Sequence, residues 1–277
     1  MEHTPDAHHA PDQLPFPPLE SSEMKGNNST FYESPDHPDL LVRQSYAIPV
    51  GDARYEKSDL SGFKAIAEGK KALDDLALRG VHIVPTLHVI GRGEPGNDHS
   101  GDAMGKPMLY GISQKITGTA LHEIPTLDAE TVAKADETFI HTLGQAWDAY
   151  QHGGQFWDDF KISQFMYGTI PGSSEKEVYL VDTEPHSRAW PDEEVEQGAF
   201  NKRQVRLFMF LSYVMDEINE LEAKSQGNKC SKTRALITTI VRDMDTTPGR
   251  AAAMRDELIE HLDDERDIPV SPYDDVQ

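Results

Sequence analysis

The chain has 277 residues, 26 basic against 48 acidic, giving a formal net charge of −22. Such a surface repels nucleic acid and anionic lipid, and the longest apolar stretch, Leu207–Leu211, is far too short to cross a bilayer, so neither nucleic-acid nor membrane partners are expected. One cysteine, Cys230, excludes an internal disulfide and reads as a small buried thiol; with no basic or apolar leader at the N-terminus, the expected location is the cytoplasm.

The length suits one large domain or two lobes sharing a cleft, and the mean hydropathy of −0.58 suits a soluble globular chain. Residues 1–22 are rich in Pro, His and acid, with little to bury, and read as a disordered tail. Thr30–Tyr32 and Leu40–Tyr46 bracket a Pro/Asp turn and predict an antiparallel hairpin. A helix is expected from Ser58 to Arg79, with Phe63, Ile66, Leu73 and Leu76 on one face and Gly80 as its stop. Val81–Ile90 is β-branched with Pro85 inside, an edge or interrupted strand. A Gly/Asp-rich loop, Gly91–Lys106, leads to a strand at Met108–Ile116 ending at Thr117-Gly118.

The second half reads as mostly helical. Val132, Ala135, Phe139, Leu143 and Ala146 predict a helix over Asp128–Tyr150. A second hairpin is expected from Ile162–Tyr167 and Val178–Val181. Gln204–Leu221 is apolar nearly all round and reads as a buried helix. Thr247-Pro248 has the form of an N-cap followed by proline, opening a last helix to Leu262. The expected organisation is α+β: a β-rich lobe with one helix over 23–118, a helical lobe carrying a hairpin over 119–268, and a loose acidic tail over 269–277.

Several strings carry possible chemistry. Gly26-Asn27-Asn28-Ser29-Thr30 is a small polar stretch that presents N–H groups to phosphate or forms an ordinary turn. Arg43 puts a cation in a strand, with Glu68 on the following helix as its best-placed acid. Asp159 precedes Gln164 by five positions, with Lys161 between. Asp182 ends the apolar strand Val178–Val181 and is followed by Glu184; a carboxylate there reaches a cleft metal from a rigid base, or forms a turn. Gly101–Lys106 imitates a phosphate-binding loop but is one residue short and followed by Pro107. The histidines lack metal-ligand spacing.

In this order the strings match what phosphoryl transfer from ATP requires: a carboxylate for the accepting hydroxyl, oxygen ligands for magnesium, and a loop with a cation over the phosphates. The chain resembles the protein-kinase-like fold, closest to its aminoglycoside phosphotransferase and choline kinase branch. Three further strings carry that resemblance: Gly80–Pro85, Ile112–Leu121 as a hinge with Gln114, and Leu180–Glu184 as a metal segment. It spans residues 24–220 and implies a two-lobed fold with ATP and Mg2+ as cofactors and an unidentified hydroxyl acceptor. It implies Asp159 as catalytic base, with Lys161 beside it in the catalytic loop. Gln164, Asp182 and Glu184 are the implied metal ligands. Gly26, Asn27, Asn28, Ser29 and Arg43 would hold the phosphates, Glu68 would pair with Arg43, and the hinge from Ser113 through Gln114 to Ile116 would hold adenine. The chain departs from the pattern at Gln164 for Asn, Arg43 for Lys, Trp157-Asp158 before Asp159 and the sparse glycines. A kinase-like scaffold without catalysis is therefore the alternative.

Overall fold

Strand alternation in the first half sends every second residue inward, and one residue of slip would reverse the buried face. The computed structural model describes residues 20–25, 29–45, 59–84, 86–92, 107–182, 188–190, 195–196, 200–246 and 248–264. In chain order these form β1 (Glu20–Lys25), β2 (Ser29–Ser34), β3 (His37–Ser45), α1 (Asp59–Leu78), β4 (His82–Ile83), β5 (Thr86–Arg92), β6 (Pro107–Gln114), β7 (Thr117–Ala120) and α2 (Ala129–His152). There follow β8 (Gln155–Phe156), β9 (Phe165–Thr169), β10 (Glu177–Leu180), β11 (Arg188–Ala189), β12 (Val195–Glu196), β13 (Phe200–Asn201), α3 (Lys202–Ala223), α4 (Ser231–Asp243) and α5 (Arg250–Asp264). The chain is α+β, and among the described residues no helix is long and apolar enough to cross a membrane. The expected C-terminal tail 269–277 lies outside the described residues; β1 begins at Glu20, inside the expected N-terminal tail, because pairing with β2 satisfies its backbone.

The chain divides into two compact units. One holds β1 to β7, α1, β9 and β10. Its larger sheet has the order β1-β2-β3-β6-β5, antiparallel throughout. Tyr32, Val42, Gln44, Tyr110 and Ile112 are buried, and the Tyr32 hydroxyl donates to Gln44 Oε1 at 2.7 Å. Helix α1 buries Gly69, Ala72, Leu73 and Leu76 at helical spacing, and Gly80 (φ +101°) follows it in a conformation that suits glycine. The smaller sheet has the order β4-β10-β9-β7, with only β4 and β10 parallel. The interrupted strand expected over 81–90 is two elements, β4 on β10 and β5 at the edge of the larger sheet.

Strand β7, read from sequence as the end of its predecessor, pairs with β9 through Gly118 opposite Gly168. A Cβ on Gly118 would lie 2.3 Å from the Tyr167 carbonyl oxygen, and one on Gly168 2.4 Å from that of Thr117, so this crossing needs two glycines.

The other unit holds Arg79–Val81, residues Leu121–Ser163 and the chain from Arg188. Asp128 caps α2 by accepting from Thr131 N at 2.8 Å, and Val132, Ala135, Phe139, Leu143 and Ala146 form its buried stripe. Helix α3 is enclosed except along a stripe with Arg206, Met209, Asp216 and Glu220, close to the buried helix expected. Helix α5 starts at Arg250 and not at Pro248, because Pro248 and Gly249 form a turn in which Gly249 takes φ +106°. Phe156 stacks on Trp190 at 4.5 Å, and Phe139 meets Phe160 edge-on at 5.0 Å.

Candidate functional site

Val42 and Gln44 on β3 are buried, so the intervening Arg43 leaves the opposite face. It lies between Phe31 of β2 and Gly111 of β6, with its guanidinium carbon 5.8 Å from the centre of the Phe31 ring. Arg43 Nη1 meets Asp182 Oδ1 at 2.5 Å; the arginine side chain is 20 % exposed and the aspartate 5 %. Asp182 lies two residues beyond β10, where Val181 N donates to the Gln164 carbonyl at 2.9 Å. Three of the sequence-predicted positions, 43, 164 and 182, therefore gather in the strand-rich unit.

Gln114 closes β6 opposite Leu40, and its Oε1 is buried without a hydrogen-bond partner. Between β6 and β7, Lys115 N donates to the Asp39 carbonyl at 2.7 Å and its ammonium meets Glu33 at 2.8 Å. Ile116 follows, half-buried, with Cγ2 3.0 Å from where a Cβ on Gly168 would stand. Ser29 begins β2 opposite Ser45. Gly26, Asn27, Asn28 and Glu184 lie outside the described residues, as does the side chain of Glu68; the carboxylate seen on Arg43 is that of Asp182.

Asp159 and Lys161 belong to the helical unit, on a loop that buries Phe156, Trp157, Phe160 and Ile162 and leaves the polar residues between them partly exposed. Lys161 Nζ meets Asp159 Oδ1 at 2.5 Å, and Arg188 meets Asp158 at 2.8 Å. Two remote side chains hold the loop: Trp157 N donates to Gln145 Oε1 at 3.0 Å and Ile162 N to Glu217 Oε2 at 2.7 Å. Tyr213, one turn before Glu217 on α3, donates to that carboxylate; burial, then the charge and hydrogen bond of Glu217, then Asp159 push its phenol well above the usual range. Sequence reading passed over Tyr213 and Glu217, and no local signal marks them, because the partner of Glu217 is a backbone N–H 55 residues away.

The group implied by the resemblance is Mg-ATP. Magnesium takes hard oxygen ligands, typically one or two carboxylates completed by phosphates and water. Asp182 and the amide-bearing Gln164 are donors of that kind, and positions 164 and 182 are brought near each other by the bond to Val181. Among the described residues no three His, Cys, Asp or Glu side chains converge as a metal-binding group, so the ion would draw the rest of its shell from phosphate and water. The donor set fits magnesium in kind, with Arg43 standing on the carboxylate. No model of a known protein family matches this chain, and no curated protein matches it either.

Proposed function

We propose that the chain is a kinase-like, ATP- and magnesium-dependent phosphotransferase acting on a hydroxyl of a small molecule or protein, in the aminoglycoside phosphotransferase and choline kinase branch of that fold. The observation that carries the reading is the Arg43–Asp182 pair. Protein kinases place the phosphate-binding cation on the third strand and a metal-binding aspartate after the catalytic loop. Here a cation on the third strand meets an aspartate that closes the hairpin after the Asp159 loop. The buried, unpartnered Oε1 of Gln114 adds support, since the amino group of a nucleobase would satisfy it.

In this reading Asp159 takes the proton of the acceptor hydroxyl and Lys161 balances its charge. Arg43 holds phosphate, and Asp182, Gln164 and Glu184 are the residues to hold magnesium, which would neutralise charge developing on the transferred group. Ser113–Ile116 are the residues that would hold adenine, and Gly26–Ser29 those that would hold phosphate. A second reading, a kinase-like partner-binding scaffold without catalysis and with weak or absent nucleotide binding, is favoured by the same ion pair, because Asp182 already has a cationic partner.

The experiment is ATP turnover by the wild type and by Asp159→Asn, across a panel of hydroxyl acceptors. The phosphotransferase reading predicts Mg-dependent turnover reduced about 100-fold or more in the variant. Equal turnover in both, or none in either, removes it.

A further inference from the structure

We infer that the groove between α3 and α5 is a docking site for a basic amphipathic helix of a partner protein, with one apolar side chain seated in the groove and basic side chains over its acidic rim. Both helices belong to the helical unit. On α3, Phe208, Ser212, Met215 and Asn219 recur at i, i+4, i+7 and i+11 and line one wall. On α5, Met254, Leu258 and His261 recur at i, i+4 and i+7 and line the other. Phe208, Met215 and Leu258 are buried, whereas Ser212 and Met254 are only half-buried, so an apolar floor opens to the surface. The cavity measures about 60 Å3. A water needs roughly 10–15 Å3, and a cavity of about 150 Å3 admits benzene. The space between those limits suits one aliphatic or thioether side chain.

Shape and charge decide the occupant. The lining runs from Phe208 to Asn219, three turns or about 16 Å of α3. A molecule compact enough for the cavity would leave that length empty, whereas a helix laid along it seats one side chain and covers both walls. Each wall carries an exposed carboxylate, Asp216 on α3 and Glu257 on α5, and among the described residues neither has a cationic partner. Met209, on the same exposed stripe of α3 as Asp216, is 52 % exposed; thioethers such as Met209 and Met254 repack around side chains of differing shape. His261 is the basic side chain of the lining, its Nδ1 2.9 Å from the Glu257 carbonyl. Of the cations nearby in sequence, Arg255 pairs with Asp256 and Lys224 with Glu220, and Arg206 is about 15 Å of helix from Asp216. A second copy of this chain, with net charge −22 and the same acidic walls, is repelled from this face, which leaves a cationic partner.

The test titrates the full-length chain into a fluorescein-labelled peptide of leucine and lysine, about 18 residues long and with its leucines on one helical face, followed by fluorescence anisotropy. Saturable one-to-one binding is expected. A peptide of the same composition, scrambled so that the leucines share no face, is expected to bind about fivefold more weakly or worse. Ser212→Phe, which fills the cavity, and Asp216→Asn/Glu257→Gln, which removes the charge from both walls, are each expected to weaken binding about fivefold or more. Asp36→Asn/Glu130→Gln, an equal change of charge outside the groove, should leave it within about twofold. Circular dichroism checks each fold; if Ser212→Phe unfolds, Met254→Trp is held to the same criterion. No saturable binding by the wild type overturns the inference, as does unchanged binding in either groove variant or an equal loss in the control pair. Displacement of the peptide by hexylammonium as readily as by unlabelled peptide also overturns it, since the groove would then take a small amine. The titration contains neither nucleotide nor metal, so its failure is distinct from failure of the turnover test.

Discussion

Glu217 on α3 accepts a hydrogen bond from the backbone N–H of Ile162 at 2.7 Å, across 55 residues of sequence, and so fixes the end of the loop that carries Asp159 and Lys161. The Tyr213 phenol donates to the same carboxylate. Glu217→Ala strands a backbone donor and loosens the loop, with an expected cost of about 1–3 kcal/mol in urea unfolding. Glu217→Gln keeps an acceptor oxygen and should recover most of that stability. If the loop is catalytic, Glu217→Ala lowers kcat while leaving KM for ATP nearly unchanged, and Glu217→Gln restores it.

Arg43 and Asp182 are coupled, and truncating either leaves a charge with little water around it. Each of Arg43→Met and Asp182→Leu is expected to cost about 2–3 kcal/mol, below the range for a fully buried pair because Arg43 is one-fifth exposed. The double variant should be more stable than the sum of the single losses predicts. Urea midpoints of the four proteins test this; additive losses would show that the pair has no coupling energy.

Gly118 and Gly168 face each other where β7 crosses β9, and any side chain there collides with backbone. Alanine at either position is expected to cost about 1–3 kcal/mol, because backbone cannot move aside as a flexible side chain can. Hydrogen exchange should show the loss concentrated in residues 117–120 and 165–169.

The N-terminus of α4 is capped from other helices. Asp136 accepts from Lys232 N at 2.8 Å, from Thr233 N at 2.9 Å and from the Thr233 hydroxyl at 2.7 Å. Asp136→Ala should therefore cost about 2–3 kcal/mol. Glu222 accepts from Cys230 N at 2.7 Å and from Arg234 Nη2 at 2.7 Å. Burial alone raises its carboxyl, but the Arg234 and Cys230 hydrogen bonds and the nearby cations outweigh it, so the folded value lies below the ordinary 4.5. A lowered folded value means the contribution is complete above the unfolded value and disappears as pH falls through the folded one. Stability should fall as pH drops below 4.5, and Glu222→Gln should flatten that part of the curve, as read by urea midpoints over an acid series.

Much of the fold was legible because period and face agree: β3 buries alternate residues, and α2 carries its stripe at helical spacing. Helix α4 was not legible. Ser231–Asp243 is dense in Thr, Ile and Val, which lose side-chain freedom in a helix, and Cys230 at its start makes no side-chain cap bond. What caps it is supplied from 96 and 97 residues away by Asp136 and from 8 away by Glu222. The site divides the same way. Asp182 was visible as an acid ending an apolar strand, whereas the partner that neutralises it is 139 residues distant. Nothing local marks Glu217 as the acceptor for the Asp159 loop, because Ile162 contributes only its backbone N–H.

The central proposal is that Arg43 and Asp182 serve a bound Mg-nucleotide. Its most direct test is thermal unfolding of the wild type and Asp182→Asn, each with ATP plus Mg2+ and with ATP plus a chelator. A ligand that binds only the folded chain must raise the midpoint, by about 2.7 kcal/mol of stability at a hundredfold excess over Kd. The account predicts a saturable rise for the wild type that is larger with Mg2+ than with chelator, and no such metal-dependent increment for Asp182→Asn. An unmoved wild-type midpoint at saturating Mg-ATP, or the same metal increment in both proteins, would contradict it.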